Sequence, residues 1–165
     1  MERKIISHRA NLNGSDGESE NTFESILKAI SLGFDVETDI WCERDVLYIG
    51  HDYDKKKFFK NTLDFLLEHS DKLWVHCKNI ESLIYLLEFK ELNVFGHDND
   101  NYVLTSKRNM FCKPGYPPNK NAVIVMPEMV PVYNLNDFNN CYGVCTDYPI
   151  EVKNNILDRF CQIIL

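Results

Sequence analysis

Short apolar runs of strand length alternate along this chain with longer amphipathic stretches, the pattern of an α/β protein. Lys4 to His8 is predicted as a strand, and Asn11 to Ser19, rich in Asn, Gly and Ser, as a loop. Asn21 reads as a helix N-cap, with Glu24 three residues on completing a capping box. Phe23, Ile26, Leu27 and Ile30 fall at the spacing of one buried helical face, and Gly33 ends the helix. Strands are predicted at Asp35 to Trp41 and Val46 to His51, then a helix at Asn61 to Ser70, a strand at Leu73 to Lys78 and a helix at Glu81 to Leu92. The second half is leaner. It reads as short strands at Asn93 to His97, Tyr102 to Ser106, Ala122 to Glu128 and Tyr142 to Asp147, with a last helix from Glu151 to Phe160. Between His97 and Tyr102 there is no room for a crossover helix, and Lys113 to Asn121 is a loop.

Nearly every predicted strand ends in a chemically capable residue: His8 with Arg9, Glu37 with Asp39, His51 with Asp52, His76 with Lys78, His97, Glu128 and Asp147. A parallel (β/α) barrel gathers such ends at one mouth, where its active site lies. Along the second strand, alternation puts Asp35, Glu37, Asp39 and Trp41 on one face and Val36, Thr38 and Ile40 on the other. Carboxylates crowded on a buried face raise one another's pKa unless a positive charge joins them, and a divalent cation held by Glu37 and Asp39 is the economical solution. A solvated acidic edge strand is the plainer alternative. His8 and His51 are the candidate proton-transfer pair, since one imidazole can take a proton while the other delivers one near neutral pH. Arg9 suits a phosphate clamp, although alternation points it away from His8 unless the strand has already ended. Lys78 shares a face with His76 and suits a developing negative charge, which turns Cys77 outward.

Composition narrows the partners. The 165 residues are 44% hydrophobic and 26% charged, ordinary globular values that predict one domain over 1–165. A net charge of −7 without a basic stripe argues against nucleic acid and against an anionic membrane surface. No apolar stretch approaches a membrane span, so no membrane anchor is expected. The start lacks the pattern of a signal peptide, and the six cysteines sit mostly in apolar runs as reduced thiols would; the expected location is cytoplasmic. There is no Cys-x-x-Cys, no Gly-x-Ser-x-Gly and no phosphate-binding glycine loop. His69 reads as a helix-end residue, and Asp98 to Asn101 as a solvated turn.

The blocks His8-Arg9, Glu20-Asn21-Thr22, Gly33-Phe34-Asp35-Val36-Glu37-Thr38-Asp39 and Gly50-His51-Asp52, in this order and spacing, resemble the glycerophosphodiester phosphodiesterase family. They cover about the first third of the chain, and Thr146-Asp147-Tyr148-Pro149 resembles that family's last barrel strand. The resemblance implies a TIM-type barrel that hydrolyses a phosphodiester with a divalent metal, Mg²⁺ or Ca²⁺. It implies acid-base roles for His8 and His51, phosphate contact for Arg9, metal ligation by Glu37 and Asp39, and a charge-neutralising Lys78. Glu20 matches an acidic residue expected to hold Arg9.

Two departures stand out. Where the family commonly has Glu-x-Lys, this chain has His76-Cys77-Lys78, so an imidazole replaces the third carboxylate and favours Mn²⁺ or Zn²⁺. Glu128 is then the candidate that restores an oxygen ligand. The chain is also far shorter than the about 250 residues of an ordinary TIM barrel. The expectation is a compact, reduced TIM-type barrel of seven or eight mostly parallel strands that has lost several crossover helices. Its expected activity is metal-dependent cleavage of a small glycerol- or polyol-phosphate diester. Attack by the substrate's own alcohol would give a cyclic phosphate, and a degenerate barrel that binds a phosphorylated ligand without turnover is the reading from another class. Trp41, Phe111, Tyr116 and Tyr148 are the aromatic candidates for lining a substrate cleft. Oligomeric state is not legible in the sequence.

Overall fold

The computed structural model describes residues 3–130 and 140–155. Its ten described strands form one sheet, curled as a reduced TIM-like barrel. Strand β1 (Lys4–Ser7) leads to helix α1 (Phe23–Ser31), then β2 (Asp35–Glu43), β3 (Val46–Ile49) and the two-residue β4 (Lys57–Phe58). Helix α2 (Thr62–Glu68), β5 (Leu73–Cys77), α3 (Ile80–Leu87) and β6 (Asn93–Phe95) complete the helix-rich half. Strands β7 (Tyr102–Leu104), β8 (Met110–Cys112), β9 (Ala122–Val125) and β10 (Gly143–Thr146) make the other, followed by helical backbone over 149–155. The last predicted helix therefore begins before Glu151, and its part beyond 155 lies outside the described residues.

The parallel sheet runs β6, β5, β2, β1, β10, β9, β8. Three strands depart from it. β3 folds back antiparallel on β2, β4 on β3, and β7 on β8. The third predicted strand is thus the arm of a hairpin and does not belong to the parallel sheet. Strand β8 and the short β4 were not foreseen in the periodicity, because two- and three-residue strands carry too few positions to show alternation. Helices cross over after β1, β4 and β5, whereas among the described residues no α-helix joins β6 to β8 or β8 to β9. That loss explains how a barrel-like sheet fits this length. No strand ladder joins β6 to β7 among the described residues. Ser106 spans the gap instead, its N–H donating to Val94 O at 2.8 Å and its Oγ accepting from Val94 N at 3.0 Å.

Burial follows the alternation. Val36 and Ile40 of β2, Val75 and Cys77 of β5 and Val94 of β6 face the helices, where Ile26, Ala29, Leu66 and Leu86 cover them. Each such fully buried aliphatic side chain is worth about 1.5–3 kcal/mol of transfer free energy. Inside the curl, Ile6, Trp74, Phe95, Phe111, Val123 and Cys145 form a second apolar cluster. The barrel interior is therefore filled with side chains, and polar chemistry is confined to the end above it. Asp35 is the exception on the inner face. It sits at the opposite end, held by Lys4 at 3.0 Å, Lys72 at 3.7 Å and the Trp74 indole N–H at 3.2 Å.

Helix α1 starts one residue later than the cap pattern predicts. Thr22 is the N-cap and Ser25 its reciprocal partner, while Asn21 is left free for another task. The buried face is also rotated: Ala29 joins Ile26 in the core, and Leu27 is 45% exposed. Gly33 ends the helix as predicted, with φ at +91°, a conformation glycine adopts without strain. No described helix is long and apolar enough to cross a membrane.

Candidate active site

The C-terminal ends of β1, β5 and β6 meet the first half of β2 at a cleft of about 390 Å³. Its polar wall carries His8, Arg9, Glu37, His51, His76 and Lys78. Its other wall, toward β8, β9 and β10, is apolar, built from Phe111, Val125 and Cys145.

Strand β1 ends at Ser7, and the chain turns through a single 3-10 turn in which Arg9 and Ala10 take positive φ values of 51° and 65°. This turn removes the difficulty of two neighbouring residues sharing one cleft, because strand alternation no longer applies. His8 Nδ1 lies 2.8 Å from Asp147 Oδ1 at the end of β10, and its Nε2 is 4.0 Å from Glu37 Oε2. A carboxylate can only accept, so the Nδ1–H donates and Nε2 is the nitrogen left for proton exchange. Burial alone would lower the His8 pKa, but the Asp147 hydrogen bond and the Glu37 charge outweigh it and raise it. Asp147 is held in turn by Asn11 Nδ2 at 2.9 Å.

His51 reaches the rim differently. Gly50, at φ +147°, donates its N–H to Asp39 O at 3.0 Å and so places the next residue beside the middle of β2. A Cβ at Gly50 would stand 2.9 Å from Lys56 Cα, so the position needs glycine for space as well as for φ. His51 Nδ1 donates to Asp52 Oδ1 at 2.7 Å, which again leaves Nε2 for chemistry.

Glu37 and Asp39 are buried, at 3% and 1% exposure, and His76 joins them from β5, whose register pairs Asp39 with His76. One ligand atom from each of the three lies within 4.8 Å of the others, so the group could hold a metal. His76 Nδ1 is 2.9 Å from Asp39 Oδ1 and 3.5 Å from Glu37 Oε1. Among the described residues, Asp39 Oδ1 nonetheless lacks an aligned hydrogen bond despite being buried. A buried carboxylate oxygen without an aligned hydrogen bond, beside a second carboxylate and an imidazole, fits a bound cation. Burial would raise the Asp39 pKa, but His76, Lys78 and Arg9 hold it well below the usual carboxylate range. Burial would lower His76, and the neighbouring Asp39 and Glu37 carboxylates raise it instead.

Two cations border these carboxylates. Lys78 Nζ is 3.6 Å from Asp39 Oδ1, and Arg9 Nε is 3.2 Å from Asp39 Oδ2. Arg9 Nη1 also donates to Glu20 Oε1 at 3.4 Å, and its backbone N–H to Glu37 Oε2 at 3.1 Å. Cys77, between His76 and Lys78, turns toward the helices, where burial pushes its thiol up to about 12. It is no nucleophile.

Two predicted site residues lie elsewhere. Glu128 does not face the carboxylate group. Its Oε1 accepts from Thr146 Oγ1 at 2.9 Å and Asp147 N at 2.8 Å, which ties the turn after β9 to the end of β10. The strand ends at Val125 and Met126 takes a left-handed turn, so alternation does not extend to Glu128. Trp41 does not line the cleft either. Its indole N–H donates to Gly50 O at 2.9 Å and its ring meets Tyr53 edge-on, bracing the β2–β3 hairpin. Of the other aromatic candidates, Phe111 lines the cleft, and Tyr116 instead packs edge-on against Tyr102.

Sequence reasoning read Asn21 only as a helix cap and Asp147 only as a polar strand end, and gave Asn11 and the ring stack around His76 no part in the site. The His76 ring stacks against both Phe95, at 5.0 Å and 2°, and His97, at 4.7 Å and 8°, and those two rings lie 6.3 Å from each other. Burial and the adjacent His76 and Lys78 charges lower the His97 pKa. Asp147 and Asn21 do fall inside recognisable blocks, but nothing local says what they touch.

No family model and no curated protein matches this chain. Among solved structures, it is similar to a candidate glycerophosphodiester phosphodiesterase from Galdieria sulphuraria, at 11% identity and a TM-score of 0.53. The likeness covers 93% of this chain and 97% of that one, and what the two share is the fold of a glycerophosphodiester phosphodiesterase-like barrel.

Proposed function

We propose that this protein is a metal-dependent phosphodiesterase acting on a small glycerol- or polyol-phosphate diester. The observation that carries the reading is the convergence of two carboxylate-oriented histidines, a buried Glu-Asp-His group and two cations on one cleft. The similar fold of the Galdieria protein supports it.

Glu37, Asp39 and His76 would hold the ion, and a bound divalent cation supplies charge stabilisation for a phosphoryl oxygen. Arg9 and Lys78 provide fixed positive charge for the remaining phosphoryl oxygens. His8, whose raised pKa favours the protonated form, gives its Nε2 proton to the leaving alkoxide. His51, through Nε2, takes the proton from the attacking hydroxyl. When that hydroxyl is water, the products are an alcohol and a phosphomonoester. When it is the substrate's adjacent alcohol, the same proton transfers give a cyclic phosphate. Asp147 and Asp52 keep the two imidazoles in the tautomer that these transfers need.

The replacement of a carboxylate by His76 favours one other reading, a barrel that binds a phosphorylated ligand without turning it over. A single experiment separates them. Purified protein is assayed on bis(p-nitrophenyl) phosphate and glycerophosphocholine with Mg²⁺, Ca²⁺, Mn²⁺, Zn²⁺ or EDTA, with His8→Ala as control. Metal-dependent turnover that is lost in the variant supports the enzyme. Metal binding without turnover across a wider diester panel supports the binding module.

A further inference from the structure

Asn21 takes no part in the chemistry above, yet it is 2% exposed and reaches into the site. Its backbone is left-handed, at φ 54°, which asparagine tolerates better than most residues. Its N–H donates to Arg9 O at 2.9 Å. The carboxamide Oδ1 accepts from Thr38 Oγ1 at 2.9 Å and from Asp39 N at 3.0 Å. Because both partners are donors, that end of the amide is the oxygen, and Nδ2 is left to donate to Asp39 Oδ2 at 3.0 Å. Helix capping does not account for these contacts, since Thr22 and Ser25 perform it.

We propose that Asn21 is a positioning residue of the metal site, holding Asp39 by Oδ2 so that Oδ1 faces Glu37 and His76. The inference rests on the reading of Glu37, Asp39 and His76 as ligands. Without the carboxamide, Asp39 Oδ2 keeps, among the described residues, only Arg9 Nε, at 3.2 Å and out of hydrogen-bond alignment. The carboxylate is then free to rotate and carry Oδ1 out of line with Glu37 and His76. Partners that orient metal ligands in this way typically contribute about 10- to 100-fold in affinity.

The test is a Mn²⁺ titration followed by the EPR signal of the free ion, which reads the site without requiring turnover. Asn21→Gly removes the carboxamide and keeps a backbone that accepts positive φ. Thr38→Val preserves shape and removes one donor that orders the amide. Gly143→Ala is the control, a destabilising change at the far end of β10 whose Cβ would meet Lys4 O at 2.5 Å. The expected result is a loss of Mn²⁺ affinity of about 10- to 100-fold in Asn21→Gly, a smaller loss in Thr38→Val and none in Gly143→Ala. Wild-type affinity in both site variants would overturn the inference and leave the metal site standing. Equal losses in Asn21→Gly and Gly143→Ala would overturn it too, by showing a general effect of stability. No Mn²⁺ binding by the wild type would overturn the metal reading and this inference together.

Discussion

His8 and Asp147 are 139 positions apart in the chain, and their side chains meet at 2.8 Å. The contact follows from the ladder between β1 and β10, which pairs Ser7 with Thr146 and so brings the next residue of each strand to the same level. Folding stabilises the protonated imidazole and the ionised carboxyl. The raised His8 pKa contributes stability fully below the ordinary histidine value of about 6.5, and that contribution is lost as pH rises through the folded value. The lowered Asp147 pKa contributes fully above the ordinary value of about 3.9 and is lost as pH falls through its folded value. The pair therefore has its full effect between those limits. Asp147→Asn is expected to lower the His8 pKa, because burial then acts with less opposition. NMR titration of the imidazole reads the shift, and the alkaline limb of the pH–rate profile should move to lower pH with it. An unmoved limb in a folded variant would remove Asp147 from the acid-base machinery.

His8→Ala and His51→Ala should each reduce diester cleavage by about 10²–10⁴-fold, the usual worth of a positioned acid or base. Neither residue is in the Glu37-Asp39-His76 group, so Mn²⁺ binding should persist. Full activity in either folded, metal-binding variant would refute the proposed mechanism.

The imidazole in the ligand set should show in metal preference. Isothermal titration is expected to rank Zn²⁺ and Mn²⁺ above Mg²⁺ and Ca²⁺ for the wild type. His76→Glu adds a negative charge and a hard oxygen, so its preference should shift toward Mg²⁺ and Ca²⁺. Bound metal should also raise the thermal midpoint, by the equivalent of about 2.7 kcal/mol at 100 times Kd. Unchanged affinity ratios among these metals in His76→Glu would show that residue 76 is not a ligand.

Gly143→Ala should destabilise the fold without touching the cleft. Its Cβ would stand 2.5 Å from Lys4 O and 2.9 Å from Lys4 Cβ, within the β1–β10 ladder. Backbone must move to relieve that overlap, and overpacking of this kind costs about 1–3 kcal/mol. Urea unfolding measures it, with a wild-type midpoint arguing that β1 and β10 are not so closely paired.

The amino-acid order determined the features that depend on local period. The alternation in β2 separates Val36 and Ile40 from Glu37 and Asp39, and apolar packing against helices leaves the carboxylates only the inner face. The short second half announced missing crossover helices, since loops of that length have no room for them. Local rules reached their limit at the start of α1, where they point to Asn21 with Glu24 as the cap although Thr22 with Ser25 performs it. Tertiary contact decided for Thr22, because Asp39 and Thr38 engage the Asn21 carboxamide. The same holds for Glu128 and Trp41, whose partners Thr146 and Gly50 become neighbours only after β10 and β3 have found their places. Which carboxylate orients His8, and that His76 stands against Asp39, are set by strand register. Register is a relation between distant segments, paired through backbone hydrogen bonds common to all sequences, so no single segment encodes it.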